Sequence, residues 1–175
     1  MDYNKLAQML FPDVKNSPEY YEEKFPYRKL PAKAQVTRMA PSPTGFIHLG
    51  NLYSALADER IAHRHGGVFY LRIEDTDEKR KVDGAVELII DTLRYFDIEF
   101  YEGAGFPDDA PQNIYGPYFQ RQRVEIYHAY AKSLVEKGLA YPCFCTEEEL
   151  ESVRQNIMVN MLYAAIFLLK RLKRT

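Results

Sequence analysis

Apolar and polar residues alternate with different periods along this chain, and the changes of period mark its elements. Residues 34–40 (AQVTRMA) carry enough β-branched and apolar side chains for a short strand. From Leu49, apolar residues recur at Leu52, Tyr53 and Leu56, the spacing of one buried helix face, so a helix is expected over 48–65. Gly66-Gly67 then supplies the left-handed stop that helices favour. Residues 68–73 (VFYLRI) form a dense β-branched and aromatic run and read as a buried strand. Strand, helix, strand in this order is a βαβ unit, with parallel strands and a right-handed crossover.

Further on, Asp83 is placed to cap a helix that buries Val86, Ile89, Ile90, Leu93 and Phe96. Residues 98–101 (IEFY) are expected as a third strand, and 102–117 shift to Gly, Pro, Asp and Asn, a long loop. Residues 121–137 are strongly periodic through Val124, Tyr127, Ala131, Leu134 and Val135, ending at Gly138. An extended piece, 141–145, precedes Thr146 and Glu149, which make a capping box for another helix. Residues 1–33 read as a peripheral extension. In it, Leu6, Met9, Leu10 and Phe11 favour a turn or two of helix before Pro12, and Tyr20, Tyr21, Phe25 and Tyr27 are expected to pack on the main domain.

Composition narrows the picture. At 175 residues and 46% hydrophobic, the chain can bury one sizeable core and begin a second domain. A net charge of −2 gives no bulk attraction for nucleic acid, so any such contact needs a local patch. Cys143 and Cys145 are too few and too close for a disulfide framework, which fits a reducing compartment. No export signal is read at the N-terminus.

The chemistry concentrates in residues 38–51, RMAPSPTGFIHLGN. Pro41 and Pro43 end strand pairing, because neither can donate to a ladder. A strand, a tight loop and a helix start aim free backbone N–H groups at an anion, and His48 adds a donor at the first turn. Neither GxGxxG nor GKS/GKT is present, so this is no dinucleotide or Walker motif. The stretch closely resembles the P-S-P-T-G-x-x-H-x-G signature of bacterial class I aminoacyl-tRNA synthetases of the glutamyl type. His48-Leu49-Gly50-Asn51 stands for the HIGH tetrapeptide, with Asn51 at the variable fourth position. Residues 72–77 (RIEDTD) match the second family block, and GPY with QRxxxY (116–127) and GLAYPCFCTEEEL (138–150) continue the likeness.

The resemblance implies an α/β fold: a Rossmann-type parallel sheet, the first half of a class I synthetase catalytic domain, with the start of an inserted acceptor-binding domain. The implied boundaries are an extension over 1–33, a nucleotide-binding half-domain over 34–110, and the start of the tRNA acceptor-binding insertion over 111–156. The activity implied is ATP-dependent activation of glutamate to glutamyl-adenylate and transfer to tRNA(Glu), in the cytoplasm and by a monomer. By resemblance Arg38 takes the side-chain carboxylate of glutamate, Glu74 its ammonium, and Ala40 and Ser42 line the pocket. A planar arginine fork suits a carboxylate. ATP phosphates fall to Thr44, His48, the Gly50 backbone and Asn51, with His48 and Asn51 the catalytic candidates. Mg²⁺ accompanies ATP, held by phosphates and water rather than by named side chains. Zinc is not expected at Cys143-x-Cys145, because a site wants four ligands and no cysteine or histidine follows.

Blander readings stand beside these. Arg38 and Glu74 can simply form a salt bridge across adjacent strands, and His48 can be a surface residue at a helix start. A glutamyl-queuosine tRNA(Asp) synthetase-like enzyme shares part of the motif, though Thr44 and 75–77 (DTD) favour the glutamyl type. A non-catalytic glutamate- or nucleotide-binding remnant is the third alternative. From 157 the likeness stops: 157–169 is almost wholly apolar and 170–174 almost wholly basic. Thirteen residues are too short to span a bilayer, so no membrane partner is expected and a truncated or frame-shifted end is preferred. A KMSKS-type lysine loop and an anticodon-binding domain are not in this sequence, so the chain is expected to be inactive in charging by itself.

Overall fold

The computed structural model describes residues 2–157. In chain order the elements are α1 (Tyr3–Leu10), α2 (Pro18–Lys24), β1 (Val36–Met39), α3 (Leu49–His63), β2 (Val68–Leu71), α4 (Ala85–Tyr95), β3 (Glu102–Gly103) and α5 (Val124–Glu136). Short 3₁₀ turns occupy Glu78–Arg80 and Gln120–Arg123. β1 and β2 are parallel neighbours, Val36 beside Val68 and Met39 beside Leu71, with α3 connecting them. The βαβ reading therefore holds, and Gly66 takes the left-handed conformation expected of it, φ 69°. Along the β2 segment, Phe69, Leu71 and Ile73 are at most 1% exposed, while Tyr70, Arg72 and Glu74 alternate with them. The buried set meets Met39, Ile89, Leu93, Ile98 and Phe100 in one core.

Three expectations give way to tertiary packing. The third strand is not 98–101. Ile98 and Phe100 are buried without ladder partners, and pairing falls instead at Glu102 and Gly103, beside Tyr70 and Leu71. Only glycine fits there: an added Cβ at Gly103 would lie 2.1 Å from the Leu71 carbonyl oxygen, and φ is +119°. Nor is the buried side of α3 the whole large-residue face of Leu49, Leu52, Tyr53 and Leu56, of which Leu52 alone is partly buried against the core. Ala55, Glu59 and Ala62 turn inward instead, while Leu49 and Tyr53 are 79% and 73% exposed. Small side chains let the helix lie close on two strands, and Thr37 Oγ1 donates to the Asp58 carbonyl at 2.7 Å to fix it. The displaced apolar face, with Phe96 and Ile98, lines a groove of about 520 Å³.

The third change concerns helix faces and caps. α4 starts from Gly84 in the left-handed region rather than from an Asp83 cap, and Phe96 is exposed. On α5, Ala129 and Val135 are buried, whereas Val124, Tyr127 and Leu134 remain exposed. Gly138 does end that helix, at φ 69°.

The N-terminal extension is integrated with this unit, which runs to Leu139. α1 is capped by Asp2, whose Oδ1 accepts from Lys5 N–H at 3.0 Å, and it buries Ala7 completely. Lys132 of α5 donates to Gln8 Oε1 and the Val14 carbonyl at 3.1 and 3.2 Å. Tyr21 is buried, but Tyr20 is half exposed and Tyr27 fully so, against the expectation that both pack inward. A second unit begins at Ala140. There the expected capping box forms: Thr146 N–H donates to Glu149 Oε2 at 2.7 Å, and Glu149 N–H to Thr146 Oγ1 at 3.2 Å. Residues 147–157 are helical; the apolar and basic stretch read from 158 onward lies outside the described residues. Among the described residues no helix is long and apolar enough to cross a membrane.

Candidate functional site

Two strand ends and one loop converge at the carboxyl edge of the sheet, the usual place for ligands of parallel sheets. Arg38 stands on β1 opposite Tyr70 of β2, and Glu74 follows β2 on the same alternating face as Tyr70 and Arg72. Their side chains meet. Arg38 Nη1 donates to Glu74 Oε1 at 3.1 Å, and Arg72 Nη2 donates to the same oxygen at 2.9 Å. Arg38 and Glu74 side chains are 34% and 32% exposed, so the contact is open to water. A pair of that exposure contributes only about 0–1 kcal/mol to stability. Its stabilising value alone therefore gives little reason for the arrangement. Arg72 was not singled out from the sequence; the signal that could have found it is its two-residue spacing from Glu74 in a strand.

Pro41 and Pro43 are buried and pin the signature loop by their carbonyls, which accept from Glu74 N–H at 2.9 Å and Val82 N–H at 3.0 Å. Met39 O likewise accepts from Arg72 N–H at 3.0 Å. Between the prolines and beyond them, Ser42 and Thr44 are exposed, and Ala40 is half-buried beside Arg38. His48 takes the N-cap position of α3 with extended backbone, φ −90° and ψ 163°, and its carbonyl accepts from Asn51 and Leu52. Its imidazole caps no backbone group. It lies against the first helical turn, where a Cβ on Gly50 would come 3.2 Å from Nδ1. The exposed His48 ring, the Gly50 backbone and the Asn51 amide thus share one helix start, whose N–H groups and dipole favour an anion.

A family model described as tRNA synthetases class I (E and Q), catalytic domain, matches residues 35–165. The chain belongs to that family. Class I synthetase relatives at high identity include the glutamate–tRNA ligase of Acetivibrio thermocellus, 62% identical over 156 residues, covering 89% of this chain and 28% of the relative. The glutamate–tRNA ligase of Clostridium perfringens strain 13 is 49% identical over 93% of this chain and 30% of its own length. The chain thus spans less than a third of the relatives it matches. Among solved structures, the glutamate–tRNA synthetase of Elizabethkingia anophelis aligns at TM-score 0.58 and 39% identity, over 73% of this chain and 25% of that one. The ligase of Elizabethkingia meningosepticum, solved in complex with its amino acid, aligns at TM-score 0.57 and 39% identity over 73% of this chain and 24% of that one. The parallel sheet is accordingly part of a class I synthetase catalytic domain.

Other candidates carry less. Cys143 and Cys145 are exposed free thiols, and the hydrogen bond between them raises the Cys145 pKa. Among the described residues, no group of three or more His, Cys, Asp or Glu side chains is placed to hold a metal ion.

Proposed function

We propose that this chain forms the glutamate-binding and phosphate-binding parts of a glutamate–tRNA ligase site. The observation that carries the reading is the meeting of Arg38, Arg72 and Glu74 at the carboxyl end of the sheet, from which β1 leads through the proline loop to the His48 helix start. Glutamate brings one ammonium and two carboxylates. Its side-chain carboxylate takes the Arg38 guanidinium from Glu74, and its ammonium takes the Glu74 carboxylate from Arg38. One exposed ion pair is exchanged for two, while Arg72 keeps Glu74 in place. Ala40 and Ser42 line this pocket.

The α-carboxylate of glutamate then attacks the α-phosphorus of ATP, forming the mixed anhydride and expelling pyrophosphate. Thr44, the His48 ring, the Gly50 N–H and the Asn51 amide hold the phosphates and the charge that develops on them. Mg²⁺ bound with ATP would neutralise phosphate charge and would be held by phosphate oxygens and water rather than by side chains of this chain. The glutamyl group passes from the mixed anhydride to a ribose hydroxyl at the end of tRNA(Glu), releasing AMP, with residues 111–156 proposed as the start of the acceptor-binding insertion.

The test is glutamate titration of the chain by calorimetry, with glutamine and aspartate for comparison and Arg38→Ala as control, alongside ATP–pyrophosphate exchange. Selective glutamate binding that Arg38→Ala weakens at least about tenfold supports the reading. Equal binding of glutamine, or binding indifferent to Arg38, sinks it.

A further inference from the structure

The N-terminal extension makes an ion pair with the sheet across 74 residues of sequence. Arg28, in the loop after α2, donates to both oxygens of Glu102 on β3, at 2.7 and 2.5 Å. The side chains are only 18% and 7% exposed. Tyr118 donates its hydroxyl to the same carboxylate. The Arg28 guanidinium lies 3.8 Å from the centre of the Tyr115 ring, and the Tyr115 hydroxyl donates back to the Pro26 carbonyl at 2.8 Å. Residues 26–28 therefore hold Tyr115 directly, by the Arg28 side chain and the Pro26 carbonyl, and reach Tyr118 through Glu102.

That gripped segment holds the end of β2 from one side, as the Met39 and Pro41 carbonyls hold it from the other. The Tyr118 carbonyl accepts from Ile73 N–H, and Gln120 N–H donates to the Ile73 carbonyl, both at 2.9 Å. Arg121 N–H donates to Asp75 Oδ1 at 3.0 Å. Glu74 sits between those two attachments. Arg72, which donates to Glu74, lines the same cavity of about 230 Å³ as Arg28, Glu102 and Tyr118.

We infer that Arg28 is a positioning residue for the glutamate pocket: through Glu102 and Tyr118 it sets the place of the strand end that carries Glu74. The inference deepens the proposed glutamate site and rests on it for the ligand, though not for the geometry. Removing Arg28 leaves Glu102 buried without its partner, which costs far more than losing an exposed pair. Glu102 must then draw in water or turn, and Tyr118 is bonded to it. The strand end then loses its support on the side of 118–121 and keeps only the Met39 and Pro41 carbonyls on the other.

The experiment compares the full chain with Arg28→Met, Arg28→Lys and Tyr118→Phe, and with Lys132→Met, which cuts a separate tie of the extension, to α5. Amide hydrogen exchange is read at Ile73, Gln120 and Arg121 and, for reference, at Ile89 and Leu93 of α4. Glutamate affinity is measured in parallel. Arg28→Met is expected to speed exchange at the first three amides by about tenfold or more, with little change in α4, and to weaken glutamate about tenfold. Arg28→Lys, which keeps the charge and loses the fork, falls between, and Lys132→Met matches the parent chain. Unchanged exchange at Ile73 and Gln120, or an equal rise in α4, overturns the inference. Should Arg28→Met fail to fold, Arg28→Lys and Tyr118→Phe decide by the same amides. Absence of glutamate binding by the parent chain counts against the proposed function, and the exchange pattern still decides the positioning role.

Discussion

The two walls of the candidate site are supported in different ways. The wall carrying Arg38 and Glu74 stands on strands whose other face is the core, and the segment 118–121 bonds it from the side. The wall carrying Thr44, His48 and Asn51 stands on a proline-pinned loop and a helix start, and the large apolar face of α3 beside it is exposed among the described residues. The difference suits the two ligands of the proposed function. Telling a glutamate carboxylate from an amide needs a charged fork held in fixed register, which strands provide. Phosphates are bound by backbone N–H groups and a dipole, which any well-formed helix start provides. The first wall thus depends on long-range packing and the second on local geometry.

The sharpest way to break this comparison is to weaken each wall's apolar support. Leu71→Ala, at a fully buried position under the first wall, is expected to destabilise the chain by about 2–5 kcal/mol in urea unfolding. Leu49→Ala, at the 79% exposed start of the second wall, is expected to change stability by less than about 0.5 kcal/mol. Comparable losses would mean that the exposed face is packed in solution. Next in size is Arg38→Ala. Losing charge-assisted hydrogen bonds to a carboxylate is expected to weaken glutamate about 10- to 100-fold, read by calorimetry, with the melting temperature nearly unchanged because the Arg38–Glu74 pair is open to water.

Alkaline titration probes the clamp behind the first wall. Burial, then the hydrogen bond to Glu102, pushes the Tyr118 hydroxyl above its ordinary value of 10.0. The folded state keeps that proton longer than the unfolded chain does. The associated stability is therefore complete below pH 10 and drains away as pH rises above it towards the folded-state value. Urea unfolding at a series of pH values should show this alkaline fall in the parent chain and a shallower one in Tyr118→Phe. The smallest effect belongs to His48→Ala: stability within about 0.5 kcal/mol of the parent, since the ring caps nothing, with the loss confined to ATP-dependent exchange. A large stability loss would show His48 to be a structural residue.

What could be read without coordinates was what neighbouring residues decide among themselves. Periodicity and turn chemistry placed β1, α3 and β2, the left-handed Gly66 and Gly138, and the reciprocal Thr146–Glu149 cap. The motif text brought Arg38, Glu74, His48, Gly50 and Asn51 forward as a group, and the sheet does gather Arg38 with Glu74.

Tertiary structure decided the rest, because it depends on how close two distant segments can come. The inward face of α3 went to Ala55 and Ala62 because close approach to two strands outweighs side-chain size. The third strand moved to Gly103 because only a residue without Cβ fits against the Leu71 backbone. Glu102, in a stretch read as loop, became a buried carboxylate through Arg28, 74 positions earlier in the chain, and the Tyr118 hydroxyl. No local pattern announces such a partner, since the energy of a buried charge lies in what is brought to it.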